Sequence, residues 1–296
     1  MRILSLIPSA TETLFSLGLE EELVAVGHAS DYPPDVAGLR RISAPPVPRD
    51  PSRMPSSDDE LETGALDFAA ILAAEPDLIF IGAATSEIRL RDGLAAMATQ
   101  PEIVRLDPTS IEGLFHAIST IGSMTETEDE AIELIQEMRE GIAEIEQKVL
   151  VLQDQGEVPK RVVVLQSLDP LMASGRWIPE MVRRSGGWDL LGREGEATTP
   201  TTWESILDVD PEMLLFAPVG LELIPCQHQF ARLQRPEFWE DIDAVRRGQV
   251  IFVEPVYLNR PGPRLVEGIG MLAEIFDPNA FIDTSPPGGW TPLFER

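Results

Sequence analysis

Two stretches of the chain repeat one another. Ile71-Leu72-Ala73-Ala74-Glu75-Pro76-Asp77-Leu78-Ile79-Phe80 matches Ile206-Leu207-Asp208-Val209-Asp210-Pro211-Glu212-Met213-Leu214-Leu215 in pattern. Each reads as the end of a helix, an acidic-Pro-acidic turn and a buried strand. Pro stops the helix and tolerates an extended residue before it. Such corners recur in α/β proteins, so coincidence is the alternative to a two-lobe duplication. The rest of the pattern favours duplication. Ile3–Ile7, Leu23–Val26, Leu78–Ile81 and Ile103–Leu106 read as buried strands of a first half, and Val162–Gln166, Met213–Ala217 and Val250–Val253 of a second. Strands alternating with helical patterns imply parallel sheets covered by helices.

Ser9-Ala10-Thr11-Glu12 has capping-box spacing and predicts a helix over Ser9–Leu17, stopped by Gly18. It starts at the C-terminal end of the first strand, the end at which open α/β sheets bind ligands. Thr127-Glu128-Asp129-Glu130 repeats that spacing. Ile135, Met138, Ile142, Ile145, Val149 and Leu152 then recur three and four apart. A helix from 127 to 153 follows, roughly 40 Å long at 1.5 Å per residue; Gly141 weakens it without stopping it. A dimerising coiled coil would show the same stripe. The lobe-like pattern on each side favours a connector, giving an expected N-terminal lobe 1–124, a connecting helix and exit loop 125–160, and a C-terminal lobe 161–296. Ser43 to Thr63 has no periodicity and reads as a loop, either a rim of a site or merely solvated.

The chain carries a net charge of −27, from 50 Asp+Glu against 23 Lys+Arg. That excludes a nucleic-acid backbone as a partner, which needs a basic footprint, and argues against docking on an anionic membrane. The lone Cys226 excludes a disulfide framework and any multi-cysteine metal site. No apolar run reaches the roughly 18 residues of a spanning helix. The N-terminal Met1–Pro8 runs straight into a strand and is too short for a secretory signal. As written, the chain is expected in the cytoplasm; it is periplasmic or extracytoplasmic if a signal was removed.

Catalytic signatures are scarce. His28, His116 and His228 show no metal-ligand spacing, and no metal site is expected. Cys226-Gln227-His228 pairs a thiol with an imidazole, but side chains two apart on a loop diverge and nothing supplies a third orienting group. Asp58-Asp59-Glu60 reads as a solvated acidic run. What stands out are loops at the C-terminal ends of strands: Ala29-Ser30-Asp31-Tyr32-Pro33-Pro34, Ala84-Thr85-Ser86-Glu87, Ala173-Ser174-Gly175-Arg176-Trp177-Ile178 and Tyr257-Leu258-Asn259-Arg260-Pro261-Gly262-Pro263-Arg264. Each joins a flat apolar face or a fixed polar group to Pro or Gly, which suits a cleft for a large, partly apolar ligand. The bland reading of any one loop is a packed corner. Arg176, Arg260 and Arg264 stand out in an acidic protein, and a cleft arginine is usually paired or faces an anionic or carbonyl-rich ligand. Arg264, at a helix start, is expected to be structural and Arg260 to touch ligand.

Several of these segments together resemble the cobalamin and iron-siderophore type of ABC-transporter substrate-binding proteins. They are Ile3–Glu12, His28 with Asp31–Pro34, Glu75–Ile79, Ser174–Glu180, Gly186-Gly187 and Asn259–Arg264. The resemblance covers about residues 1–280 and is nearest to the cobalamin-binding members. It implies the class III periplasmic-binding-protein fold: α/β, two Rossmann-like lobes with parallel sheets joined by one long rigid helix, ligand held between them. Two tryptophan positions of the periplasmic cobalamin-binding protein fall near Gly82 and Thr198 here, and an aromatic one falls on Tyr257. The expected function is non-enzymatic binding of cobalamin or a related corrinoid for uptake or handling, with no tightly bound cofactor. Tyr32, Glu87, Trp177, Tyr257 and Arg260 are the expected ligand contacts, with His28, Asp31 and Arg176 as further cleft residues. The resemblance also implies docking on a transporter permease through a glutamate on each lobe, which Glu204 matches in the second; in the first the position falls near Ala69, with Asp67 the nearest acid. The alternatives are haem or a ferric siderophore in the same fold, or an enzyme or sensor for a corrinoid or chelate precursor, with His28, Asp31 and Glu87 as acid–base groups.

Overall fold

The computed structural model describes residues 1–44, 65–83 and 85–293. The Ser43–Thr63 loop and the acidic run at 58–60 lie almost wholly or wholly outside them. The chain divides into two compact units, one of Met1–Pro108 with Glu112–Gln136, the other of Thr109–Ile111 with Glu137–Arg296.

The first unit is built on β1 (Ile3–Ser5), β2 (Leu23–Val26), β5 (Leu78–Ile81) and β6 (Glu102–Arg105). They form an all-parallel sheet in the order β2-β1-β5-β6. A short antiparallel pair, β3 (Ser43–Ala44) and β4 (Ala65–Leu66), stands apart. The helices are α1 (Pro8–Ser16), α2 (Phe68–Ala74), α3 (Glu87–Gly93) and α4 (Ile111–Thr125). Leu4, Ile79 and Ile81 from the strands, with Leu6 just beyond β1, pack with Ile71 of α2 and Leu90 of α3. The strands read as near-continuous apolar runs because both faces of a parallel sheet are covered.

The start of α1 corrects the capping-box expectation. Pro8 occupies the first turn, Ile7 is the N-cap and no side chain caps it. Pro, with φ already set for a helix and no N–H to satisfy, starts the helix one residue early. Ser9 and Glu12 therefore lie inside the helix, and Glu12 is buried. Gly18 does end the element, at φ +73°.

One 27-residue helix, α5 (Glu128–Asp154), gives its first nine residues to the first unit and the rest to the second. Of its apolar stripe, Met138, Ile142 and Val149 are buried. Gly141 has a packing reason: a Cβ there would lie 2.9 Å from Val266 Cγ1.

The second unit repeats the plan. Four parallel strands, β7 (Lys160–Leu168), β10 (Gly187–Asp189), β13 (Met213–Phe216) and β14 (Val250–Val253), run in the order β10-β7-β13-β14. On β7, β8 (Leu171–Ala173) pairs antiparallel and carries β12 (Thr199–Pro200); β15 (Trp290–Pro292) pairs antiparallel with β14. A small parallel pair joins β9 (Gly175–Arg176) and β11 (Arg193–Glu194). The helices are α6 (Ile178–Arg184), α7 (Trp203–Val209), α8 (Leu223–Arg232), α9 (Asp243–Arg246), α10 (Val256–Asn259) and α11 (Leu265–Phe276). The core centres on Phe216, Phe230, Phe252 and Trp239 with ring centroids 5.0 to 5.7 Å apart.

The internal repeat extends to atomic detail. α2 and α7 are capped by Asp67 and Thr202, which accept from the N–H groups of Ala70 and Ser205. Both helices end on an acidic residue in the left-handed region, Glu75 at φ 43° and Asp210 at φ 44°. The residue before each Pro is thus left-handed, where the sequence suggested an extended one. The acid after each Pro locks onto the residue entering the central strand. Asp77 N–H donates to Arg2 O and Glu212 N–H to Arg161 O, each at 2.8 Å. In return Arg2 N–H donates to Asp77 Oδ2 at 2.8 Å and Arg161 N–H to Glu212 Oε2 at 3.0 Å.

Candidate functional site

In the first unit the expected site loops follow β2 and β5, at the strands' C-terminal ends. Arg41 pins the first: its guanidinium donates to Gly27 O at 3.0 Å and to Ser30 O. Buried Ser30 lies 2.8 Å from the Thr11 hydroxyl, itself 2.9 Å from Ser5 Oγ, so strand, helix and loop share one hydroxyl chain. His28 is held to β3, its N–H donating to Ser43 Oγ at 2.8 Å and its Nδ1 2.9 Å from the same oxygen. Beyond these anchors Asp31 and Tyr32 are exposed.

Arg105 does for the second loop what Arg41 does for the first. It donates to Gly82 O, Ala83 O and Thr85 O, each at 2.8 Å. Charged hydrogen bonds of this kind contribute about 1.5–3 kcal/mol each when formed. The loop leads into α3, capped by Ser86, with Glu87 in its first turn. Glu87 is paired with Arg91 at 2.8 Å on the surface. Such an exposed pair is worth about 0–1 kcal/mol, so a ligand group can displace it cheaply.

In the second unit two amides tie the expected site loops together. Gln166, buried near the end of β7, accepts from Gly175 N–H at 3.1 Å and donates from Nε2 to Asn259 Oδ1 at 2.8 Å. Asn259 Nδ2 donates in turn to Ala217 O, just past β13, at 2.9 Å. Around this bridge lie Arg176, Trp177, Tyr257 and Arg260. Arg176 is half-buried, at φ 56°, with its N–H donating to Glu196 O at 2.5 Å. Gly175 permits this: a Cβ would lie 2.6 Å from Glu196 O. Tyr257 is half-buried on α10, with the Arg264 guanidinium 5.5 Å from its ring centroid. Burial above all, helped by the Glu267 charge and opposed by Arg264, pushes its phenol above the usual tyrosine value and keeps it neutral. Arg260 is half-buried in extended backbone, its carbonyl accepting from Gly262 N–H.

Trp177 departs from expectation. It is 4% exposed, and its indole N–H donates to Leu258 O at 2.6 Å. The ring is part of the packed interior and ties the start of α6 to α10; it offers no open face. A buried indole needs such a partner.

The two acids considered for docking differ. Asp67 Oδ1 is engaged as the cap of α2, 2.9 Å from Ala70 N. Glu204 is exposed in the first turn of α7. Cys226 and His228 lie on α8 and not on a loop, the thiol fully buried and the imidazole exposed. Among the described residues there is no cluster of three or more His, Cys, Asp or Glu able to hold a metal ion, and no helix long and apolar enough to cross a membrane.

The family model described as periplasmic binding protein matches residues 3–257. The chain belongs to the periplasmic binding protein family. Its relatives are binding proteins and not enzymes. An ABC transporter substrate-binding lipoprotein of Bacillus subtilis (YvrC) is 24% identical over 295 residues, covering 95% of this chain and 81% of that one. The vitamin B12-binding protein of Vibrio cholerae is 24% identical over 276 residues, covering 90% of this chain and 86% of its own length. Solved structures share the fold, two of them as follows. A periplasmic heme binding protein from Pseudomonas aeruginosa superposes with a TM-score of 0.74 at 20% identity, over 99% of this chain and 95% of that one. The periplasmic vitamin B12 binding protein BtuF of Vibrio cholerae gives 0.68 at 21%, over 93% and 96%. Membership implies a small-molecule ligand and a transporter permease as partner.

Proposed function

We propose that this protein binds cobalamin or a related corrinoid and presents it to an ABC transporter permease from outside the cytoplasmic membrane. The observation that carries the reading is the match over 90% of the chain to a vitamin B12-binding protein. The second-unit loops supply suitable chemistry. Tyr257 offers a ring face and a neutral phenol, and Arg260 a planar guanidinium donor for amide or phosphate oxygens. Tyr32 and Glu87 take the corresponding roles in the first unit, with His28, Asp31 and Arg176 nearby in their own loops. The corrinoid is cargo and no resident cofactor enters the reading. Glu204 is the docking residue of the second unit; in the first, Asp67 would have to give up its cap.

Haem or a ferric siderophore is the second reading, favoured by phenols in the site loops of both units, since tyrosine is a known ligand of haem iron. One titration separates the two. Purified protein is titrated with cyanocobalamin, dicyanocobinamide, hemin and ferrichrome by absorbance and calorimetry. Stoichiometric corrinoid uptake is expected. No binding of either corrinoid at high micromolar concentration refutes the first reading, and a hemin Soret shift or ferrichrome binding in its place establishes the second.

A further inference from the structure

We infer that Gln166 and Asn259 act as a positioning bridge that makes the Ser174–Trp177 loop and the Tyr257–Arg260 turn one body. The inference rests on the reading of these segments as ligand-gripping. Gln166 belongs to no sequence motif and Asn259 opens the Asn259–Arg264 one, and neither needs to touch ligand to act.

The geometry is a relay that uses both ends of both amides. Gly175 N–H reaches Gln166 Oε1, Gln166 Nε2 reaches Asn259 Oδ1, and Asn259 Nδ2 reaches Ala217 O. Only a side chain with a donor and an acceptor can hold either position. The relay starts in the loop bearing Arg176 and ends on the residue beyond β13, passing through the residue next to Arg260. Trp177 adds a second link between the same two segments through Leu258 O. A buried polar group left without its partner costs about 1–3 kcal/mol, so removing one amide frees the other's groups as well. The strand ladder of β7 with β13 is made by backbone groups over Val162–Leu165 and does not depend on the Gln166 side chain. The bridge is therefore a device added at the strand ends, where the site lies, and not a requirement of the sheet.

The test compares wild type with Gln166→Ala, Gln166→Glu, Asn259→Ala and the Gln166→Ala/Asn259→Ala double variant. Gln166→Glu keeps the side-chain volume and the Gly175 bond while losing the donor to Asn259. Hydrogen–deuterium exchange without ligand is followed in peptides over 171–178 and 255–262. Each single variant is expected to raise exchange in both segments, although each alters only one side of the bridge, and to leave 23–26 unchanged. Affinity is measured by calorimetry with whichever of cyanocobalamin, dicyanocobinamide or hemin the wild type takes up. About a tenfold loss is expected in each single variant and no further loss in the double, the signature of residues acting through one interaction. A rise in exchange confined to one of the two segments overturns the inference, as do losses multiplying to about a hundredfold in the double variant. If wild type takes up none of the three probes, the ligand reading falls, and the exchange pattern alone decides the bridge.

Discussion

Substituting Gly268 by Ala should lower stability and loosen the Tyr257 turn, against the usual gain from removing a helical glycine. Gly268 lies inside α11, where Gly→Ala normally contributes about 1 kcal/mol through helix propensity. Here a Cβ would run into the carbonyl oxygen of Tyr257 and approach Met181 Cε to 2.8 Å. Overpacking typically costs about 1–3 kcal/mol. The upper part of that range applies, because a backbone carbonyl cannot rotate out of the way as a side chain can. The net loss is then about 1–2 kcal/mol, or about 2–8 °C at roughly 2–4 °C per kcal/mol for a unit of this size. Gly141→Ala is the internal comparison. Its Cβ meets only a methyl group of Val266, at 2.9 Å, and a small side-chain shift can relieve it. The propensity gain then survives in part, and the melting temperature should stay level or rise by up to about 4 °C. Scanning calorimetry on both variants gives the answer. Stabilisation by Gly268→Ala would refute the close approach of α11 to α10, and so would two variants that respond alike. Ligand affinity should fall with Gly268→Ala and hold with Gly141→Ala.

Two further outcomes follow from buried ionisable groups. The Cys226 thiol is pushed up to about 12 by burial and by the Glu254 charge, so a disulfide reagent at pH 8 should find no reactive thiol in the native protein and one per chain after denaturation; immediate native reaction would contradict the buried position. Asp189 is raised above its ordinary 3.8 because burial outweighs the hydrogen bonds from Ser174, Gly192 and Leu191. The folded state thus holds this proton more tightly than the unfolded one, and stability from it is lost as pH rises from about 3.8 through the folded value. Asp189→Asn removes that slope, so its melting temperature should gain on wild type as pH rises; a difference that stays flat or runs the other way counts against a raised carboxyl.

Much of the scaffold was legible because it rests on local signals. Leu23–Val26, Leu78–Ile81 and Val250–Val253 are strands with the bounds the apolar runs suggested, and the 27-residue α5 differs from the expected 127–153 by one residue at each end. Short strands such as β8, β9 and β15 escaped, since two or three residues give no periodicity. The first cap was misread because Ser-x-x-Glu is degenerate when Pro precedes it. In the site, aromatic and basic residues could be named, but not their use. Trp177 looked like an exposed face and is interior, because its partner is a carbonyl some eighty positions away. Arg41, Arg105, Gln166 and Asn259 hold the loops through bonds to distant backbone or side-chain groups that no local pattern encodes; a position near a strand end marks Arg105 and Gln166, while Arg41 precedes β3 and Asn259 ends α10.

The paired locks at the strand entrances bear on how freely each half can change in length. The bond from Arg2 to Asp77 closes a separation of 75 residues, and its counterpart from Arg161 to Glu212 one of 51. Loop-closure entropy grows as three-halves RT times the logarithm of length, so the longer span costs only about 0.3 kcal/mol more. The longer span between the lock partners of the first half is therefore almost free thermodynamically. Added length between the lock partners costs the sheet little, while the corner that closes it carries the same pair of bonds in both copies.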